Sequence, residues 1–192
     1  MNDIILITLI VIFIYVFLFL HKQNNVYIEA YTGERYMVYE GEDKKEKADM
    51  LAKILSNMLK LKKHLVTNLD EMGEYKKYIL QLNKNFNENK TIIYETDPKS
   101  DLTSYSVNKG EELSFCLKSK KNNKLHDINL LMYVAIHEMS HIGCPEIGHG
   151  YLFKKIFKKF IQEAIDIKIY KYEDYAAHNV EYCGMILSSS IV

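Results

Sequence analysis

Leu130-Leu131-Met132-Tyr133-Val134-Ala135-Ile136-His137-Glu138-Met139-Ser140-His141 decides how this chain reads: an apolar helix that closes on His-Glu-x-x-His. An α-helix turns through 3.6 residues, so positions four apart share a face, and His137 and His141 can grip one ion from a single helix. Glu138, one residue on, brings a carboxylate beside that ion's open coordination position without becoming a ligand. Zinc held by neutral nitrogen lowers the pKa of water to about 7, and an adjacent carboxylate can take the proton and later pass it to a leaving amine. The spacing therefore predicts amide hydrolysis with Glu138 as the catalytic base and Zn2+ as the cofactor. Asp127 stands where an N-cap belongs, and Gly143 and Pro145 stop the helix.

A catalytic zinc takes three protein ligands and keeps one position open. Three residues compete for the third place. His149 lies beyond a Gly-Cys-Pro turn that can fold the chain back toward the ion, Glu163 falls in the next helical stretch, and Cys144 offers a thiolate. Ligand type and reach favour His149. The metzincin spacing is not met, because its third His would fall at Ile147.

His137-Glu138-x-x-His141 followed by Gly148-His149-Gly150-x-x-Phe153-Lys154 resembles the active-site stretch of WLM-domain and SprT-like metalloproteases, which are small zincins. The likeness extends over roughly residues 90–187, with Ser106-Val107-Asn108-Lys109-Gly110 and Tyr182-Cys183-Gly184 similar to strands that flank the catalytic helices. In that family the two motif histidines and the later His bind zinc, the motif Glu is the base, and the substrates are proteins, often ones crosslinked to DNA. The resemblance thus implies His137, His141 and His149 as the metal ligands. The chain departs from the family by its apolar N-terminal segment and by lacking an obvious DNA-binding or ubiquitin-family-binding tail. Its Lys, Ile, Asn and Tyr bias resembles that of chains from A/T-rich genomes, large DNA viruses among them.

Residues 4–20 form an apolar run whose only polar members are Thr8 and Tyr15. As a helix it reaches about 25 Å, near the minimum for crossing a bilayer, which predicts a transmembrane anchor over residues 1–21 and a membrane location. His21 and Lys22 follow the run, and the positive-inside rule then leans toward a cytoplasmic catalytic domain. Residues 22–43 read as a juxtamembrane linker with one short strand at 36–39, and residues 44–192 as a single zincin-like domain.

Lys plus Arg and Asp plus Glu both number 25, so no net field draws the chain to nucleic acid, and any such contact must be local. The three cysteines, Cys116, Cys144 and Cys183, are widely separated and include no Cys-x-x-Cys. A disulfide framework is therefore not expected, in keeping with a reducing compartment.

Leu51, Ile54, Leu55, Met58, Leu59 and Leu65 mark one amphipathic helix, and Met72, Tyr75, Tyr78, Ile79, Leu82 and Phe86 a second. Residues 91–95, 104–107 and 112–117 read as strands, with 112–117 either the strand that pairs with an extended substrate or an ordinary internal strand. Residues from about 151 repeat at helical spacing over Phe153, Ile156, Phe157, Phe160 and Ala164, while Lys154, Lys155, Lys158 and Lys159 make a solvated face. Residues 180–187 read as a closing strand, and His64 and His178 as incidental.

The expectation is an α+β, zincin-like domain with a small sheet packed on the His-Glu-x-x-His helix and the helix after it, behind an N-terminal transmembrane helix. It would act as a zinc metalloprotease on a protein or peptide substrate. The alternative is a non-catalytic, zinc-stabilised, membrane-anchored interaction module. A donor for the tetrahedral oxyanion is also expected, with no Tyr or His singled out.

Overall fold

Leu51, Ile54, Met58, Leu61 and Leu65 recur at three- and four-residue steps, and in the computed structural model they are the fully buried stripe of a long helix. The structure describes residues 2–20 and 24–189, with side chains over 5–16 in the first helix. Its elements are α1 (Asn2–Leu20), β1 (Asn25–Glu29), β2 (Arg35–Tyr39), α2 (Lys44–Thr67), α3 (Lys76–Asn85), β3 (Ile92–Glu95), β4 (Tyr105–Val107), β5 (Glu112–Phe115), α4 (Ile128–Gly143), α5 (Tyr151–Asp166), β6 (Val180–Tyr182) and β7 (Met185–Leu187). A 3-10 segment, Leu69–Tyr75, joins α2 to α3.

Five strands form one sheet in the order β1-β2-β3-β5-β4. The β1/β2 and β4/β5 pairs are antiparallel, whereas β2/β3 and β3/β5 are parallel. A parallel pair needs a crossover, and the path through α2 and α3 supplies it between β2 and β3. Helices and strands are thus interleaved. The fold is mixed α/β, which corrects the α+β expectation. Residues 24–43 carry two paired strands of the main sheet where sequence pattern gave one short strand. The strand at 112–117 is internal; β4 is the edge, so the open backbone beside the site belongs to residues 105–107.

The expected membrane crossing is also corrected. Among the described residues no helix is long and apolar enough to cross a membrane. The described side chains of α1 run from Ile5 to Val16 and are exposed. The single-pass anchor, and the membrane location drawn from it, are not supported.

A further correction concerns the cysteines. Cys116, just after β5, is disulfide-bonded to Cys183 in the β6–β7 turn, with Cα atoms 6.3 Å apart and a sequence separation of 67. Closing a loop of that length restricts the unfolded chain by about 4 kcal/mol. Sequence spacing gives no cue to this pairing, because only the tertiary fold sets the β6–β7 hairpin beside the end of β5. The expectation of a reducing compartment rested on the absence of such a bond and falls with it.

The hairpin β6–β7 lies outside the main sheet. Helix α4 is central, packing on α2, α3 and α5 with nearly every residue buried. Asp127 caps it as expected, its carboxylate accepting the Asn129 N–H at 2.7 Å. Gly143 makes the crowding at its C-terminal end possible: a Cβ there would lie 3.0 Å from the Tyr78 carbonyl oxygen and 3.5 Å from the Phe160 ring.

Candidate metal and catalytic centre

Helical periodicity sets His137 above His141 on α4, and the turn after Gly143 returns the chain so that His149 joins them. The three Nε2 atoms form a triangle with sides of 3.1, 3.0 and 3.0 Å. An imidazole nitrogen carries either a proton or a lone pair, so three nitrogens meeting this way cannot all be satisfied by one another. A cation can satisfy them. Zinc–nitrogen distances of about 2.0–2.1 Å suit a triangle of this size, with the ion to one side of its centre.

The electrostatics favour the neutral ligand form. Burial, helped by the proximity of His141 and then His149, depresses His137 to about 3. Burial, with His149 and the Lys109 charge adding to it, depresses His141 to about 4. Phe153 of α5 stacks on His141 with ring centroids 4.2 Å apart, and Phe153 and Phe157 meet His137 edge-on at 4.9 and 5.2 Å. The apolar face of α5 thus fixes the orientation of both helix-borne rings.

Neither competing ligand reaches the triangle. Glu163 accepts from His64 at 2.7 Å and pairs with Lys159 at 2.5 Å, which also gives His64, read as incidental, a partner. Cys144 is buried, and among the described residues the metal-competent groups are the histidine triad and Cys116 with His126 and Cys183.

Glu138 is 5% exposed and faces the same cleft, of about 600 Å³, whose wall also includes β4 and the tip of β6. Burial raises its carboxyl to about 7, opposed by a hydrogen bond from the Ser106 side chain. Tyr182 is buried in the cleft wall and its hydroxyl is hydrogen-bonded to the Ser104 hydroxyl. Burial holds this phenol well above the ordinary tyrosine range, and the nearby Glu138 charge adds to the shift.

Lys109 supplies a support that motif reading misses. Its Nζ donates to the carbonyl oxygens of His141 at 3.1 Å, Cys144 at 2.7 Å and Glu146 at 3.1 Å. One ammonium therefore satisfies carbonyls at the end of α4 and in the loop that delivers His149. The turn that presents it holds Asn108, Lys109 and Gly110 at φ 48°, 57° and 110°. A Cβ at Gly110 would also press on Ile142 and the Asn85 carbonyl oxygen, at 3.2 and 3.3 Å. The stretches 106–110 and 182–184 stand out in the sequence, but the roles of Ser106, Lys109 and Tyr182 depend on how the strands are arranged.

No family model matches the chain. An Acanthamoeba polyphaga mimivirus protein, described as uncharacterized protein R325, is 40% identical over 172 residues, covering 89% of this chain and 86% of that protein. The chain belongs to the R325 family. A further relative of this R325-family chain is uncharacterized protein 136R of Invertebrate iridescent virus 6, 32% identical over 84 residues, or 43% of this chain and 47% of that protein. Among solved structures, that of a Wss1 mutant from Saccharomyces cerevisiae covers 68% of the R325-family chain and 88% of its own at 16% identity, with a TM-score of 0.45. At that score the likeness carries no argument about chemistry.

Proposed function

We propose that this R325-family chain is a zinc metalloprotease that hydrolyses peptide bonds of a protein substrate. The observation that carries the reading is the convergence of three imidazole nitrogens within 3.1 Å of one another beside a buried carboxyl group. The resemblance of its two motifs to WLM-domain and SprT-like proteases supports the same reading.

His137, His141 and His149 are the ligand set, and their neutral state leaves the lone pairs free. A bound zinc ion supplies a Lewis acid that polarises the substrate carbonyl and makes water acidic enough to be deprotonated near neutral pH. Glu138 accepts the proton of the attacking water and returns it to the leaving amine. Its raised pKa of about 7 suits a group that must both take and give a proton. The Ser106 hydroxyl orients the carboxylate. Tyr182, on the cleft wall, offers an O–H to the tetrahedral oxyanion. The open edge of β4 offers backbone groups to an extended peptide, a pairing that selects chains over small amides.

The test is Glu138→Gln. It is expected to keep about one zinc per chain while peptide cleavage falls by about a thousandfold. A Glu138→Gln chain that cleaves like the parent refutes the mechanism, and a zinc-loaded parent that cleaves no peptide leaves a non-catalytic zinc module in its place.

A further inference from the structure

The Cys116–Cys183 disulfide stands between two cavities. On one side Tyr182, the neighbour of Cys183, lines the cleft that holds Glu138 and the histidine triad. On the other, Cys116 is in the wall of a second cavity of about 1240 Å³, alongside Leu117, Lys118 and Tyr39. Cys183 lines neither. We propose that this disulfide is a thiol–disulfide exchange site, entered by a dithiol through the second cavity and felt in the catalytic cleft through Tyr182.

Access fixes the direction of the exchange. The dithiol's thiolate attacks the sulfur of Cys116, the cysteine in the cavity wall, forming a mixed disulfide and displacing the Cys183 sulfur. The dithiol's second sulfur then displaces Cys116 and leaves as a cyclic disulfide. Both of its protons pass to the protein, which ends with two thiols. The Cys183 sulfur lies 3.4 Å from His126 Nε2, a nitrogen that already accepts the Cys183 backbone N–H at 3.3 Å. That unprotonated nitrogen is placed to receive the new S–H.

The link to the cleft is mechanical. Cys183 and Gly184 occupy the two central positions of the β6–β7 turn with φ of 51° and 90°. Glycine tolerates that region readily, whereas a cysteine there is strained. The covalent tie to Cys116 holds the turn against that strain. Among the described residues β6 and β7 pair with no other strand, so the bond anchors the hairpin together with the Cys183 N–H to His126 and the Tyr182–Ser104 hydrogen bond. When it opens, Cys183 relaxes, and Tyr182, Met185 and Leu187 lose their fixed place in the cleft wall.

The test uses the full, zinc-loaded chain carrying Cys144→Ala, so that only the pair reacts. The protein is held in buffers of reduced and oxidised dithiothreitol at graded ratio, thiols are counted by alkylation mass, and amide hydrogen exchange is read over residues 180–187. Exchange there is expected to quicken at least tenfold in step with the thiol fraction, while zinc stays near one per chain and peptide cleavage falls at least tenfold. Cys116→Ser with Cys183→Ser should behave as the reduced chain at every ratio. Unchanged exchange in the fully reduced chain, or a bond that resists every ratio, overturns the proposal. The cleavage arm rests on the metalloprotease reading and the exchange arm does not. An oxidised parent that cleaves nothing, yet shows the redox-linked exchange, sinks that reading and leaves this one standing.

Discussion

The Lys109 ammonium lies 2.7 Å from the Cys144 carbonyl oxygen and also reaches the carbonyls of His141 and Glu146. One side chain from the β4–β5 turn thereby joins the end of the helix that carries His137 and His141 to the loop that carries His149. Lys109→Met removes all three bonds and leaves the ligands in place. Groups that orient metal ligands typically contribute 10–100-fold in affinity, so zinc binding is expected to weaken by about that much. Competition against a chromophoric chelator measures it, and an affinity within twofold of the parent rules the role out.

The third ligand is tested by a pair of variants. His149→Ala should lower zinc affinity by at least a hundredfold, more than loss of a merely orienting group. Glu163→Gln, whose carboxylate is occupied by His64 and Lys159, should retain about one zinc per chain. Metal analysis after gel filtration reads both, and the reverse pattern would assign the ligand to Glu163.

Glu138 gives the metal-free chain a pH signature. Its folded pKa, about 7, lies above its ordinary value of 4.5. Between those values the unfolded chain has released the proton and the folded chain still holds it, so stability falls as pH rises. The span corresponds to roughly 3 kcal/mol. His137 and His141, depressed to about 3 and 4, act in the opposite sense as pH falls below 6.5. Subtracting Glu138→Gln from the parent removes their contribution. In urea denaturation of metal-free protein, the variant should gain relative stability steadily from pH 4.5 to 7, and a flat difference would show that Glu138 is not protonated by burial.

Gly143→Ala tests the packing at the end of α4. The added methyl meets the Tyr78 carbonyl at 3.0 Å, a backbone atom that cannot swing aside. Overpacking of this kind destabilises by about 1–3 kcal/mol, read as a lower midpoint in denaturant at unchanged slope. No loss of midpoint would mean that α3 yields freely.

What the sequence discloses and what it hides divide along a physical line. His137, Glu138 and His141 are related by the helix repeat alone, so their geometry is legible from four residues. His149 is legible from reach and ligand type. The stripes of α2 and α5 are legible because burial imposes a period on them. By contrast, the edge position of β4, the three bonds of Lys109, the Tyr182–Ser104 contact and the Cys116–Cys183 bond all depend on which segments far apart in sequence the fold brings together. No local pattern carries that. The N-terminal run shows the converse error: its composition correctly predicts a helix, but among the described residues no helix is long and apolar enough to cross a membrane.

The ligand triad draws two rings from one rigid rod and the third from a stretch whose Ile147 is 97% exposed. A metal bound there, as proposed, would act as a rivet, fastening residues 145–150 against α4. Occupancy and backbone order in that short span are then a single variable, so the bonds flanking Ile147 become the natural nick point whenever the rivet is drawn.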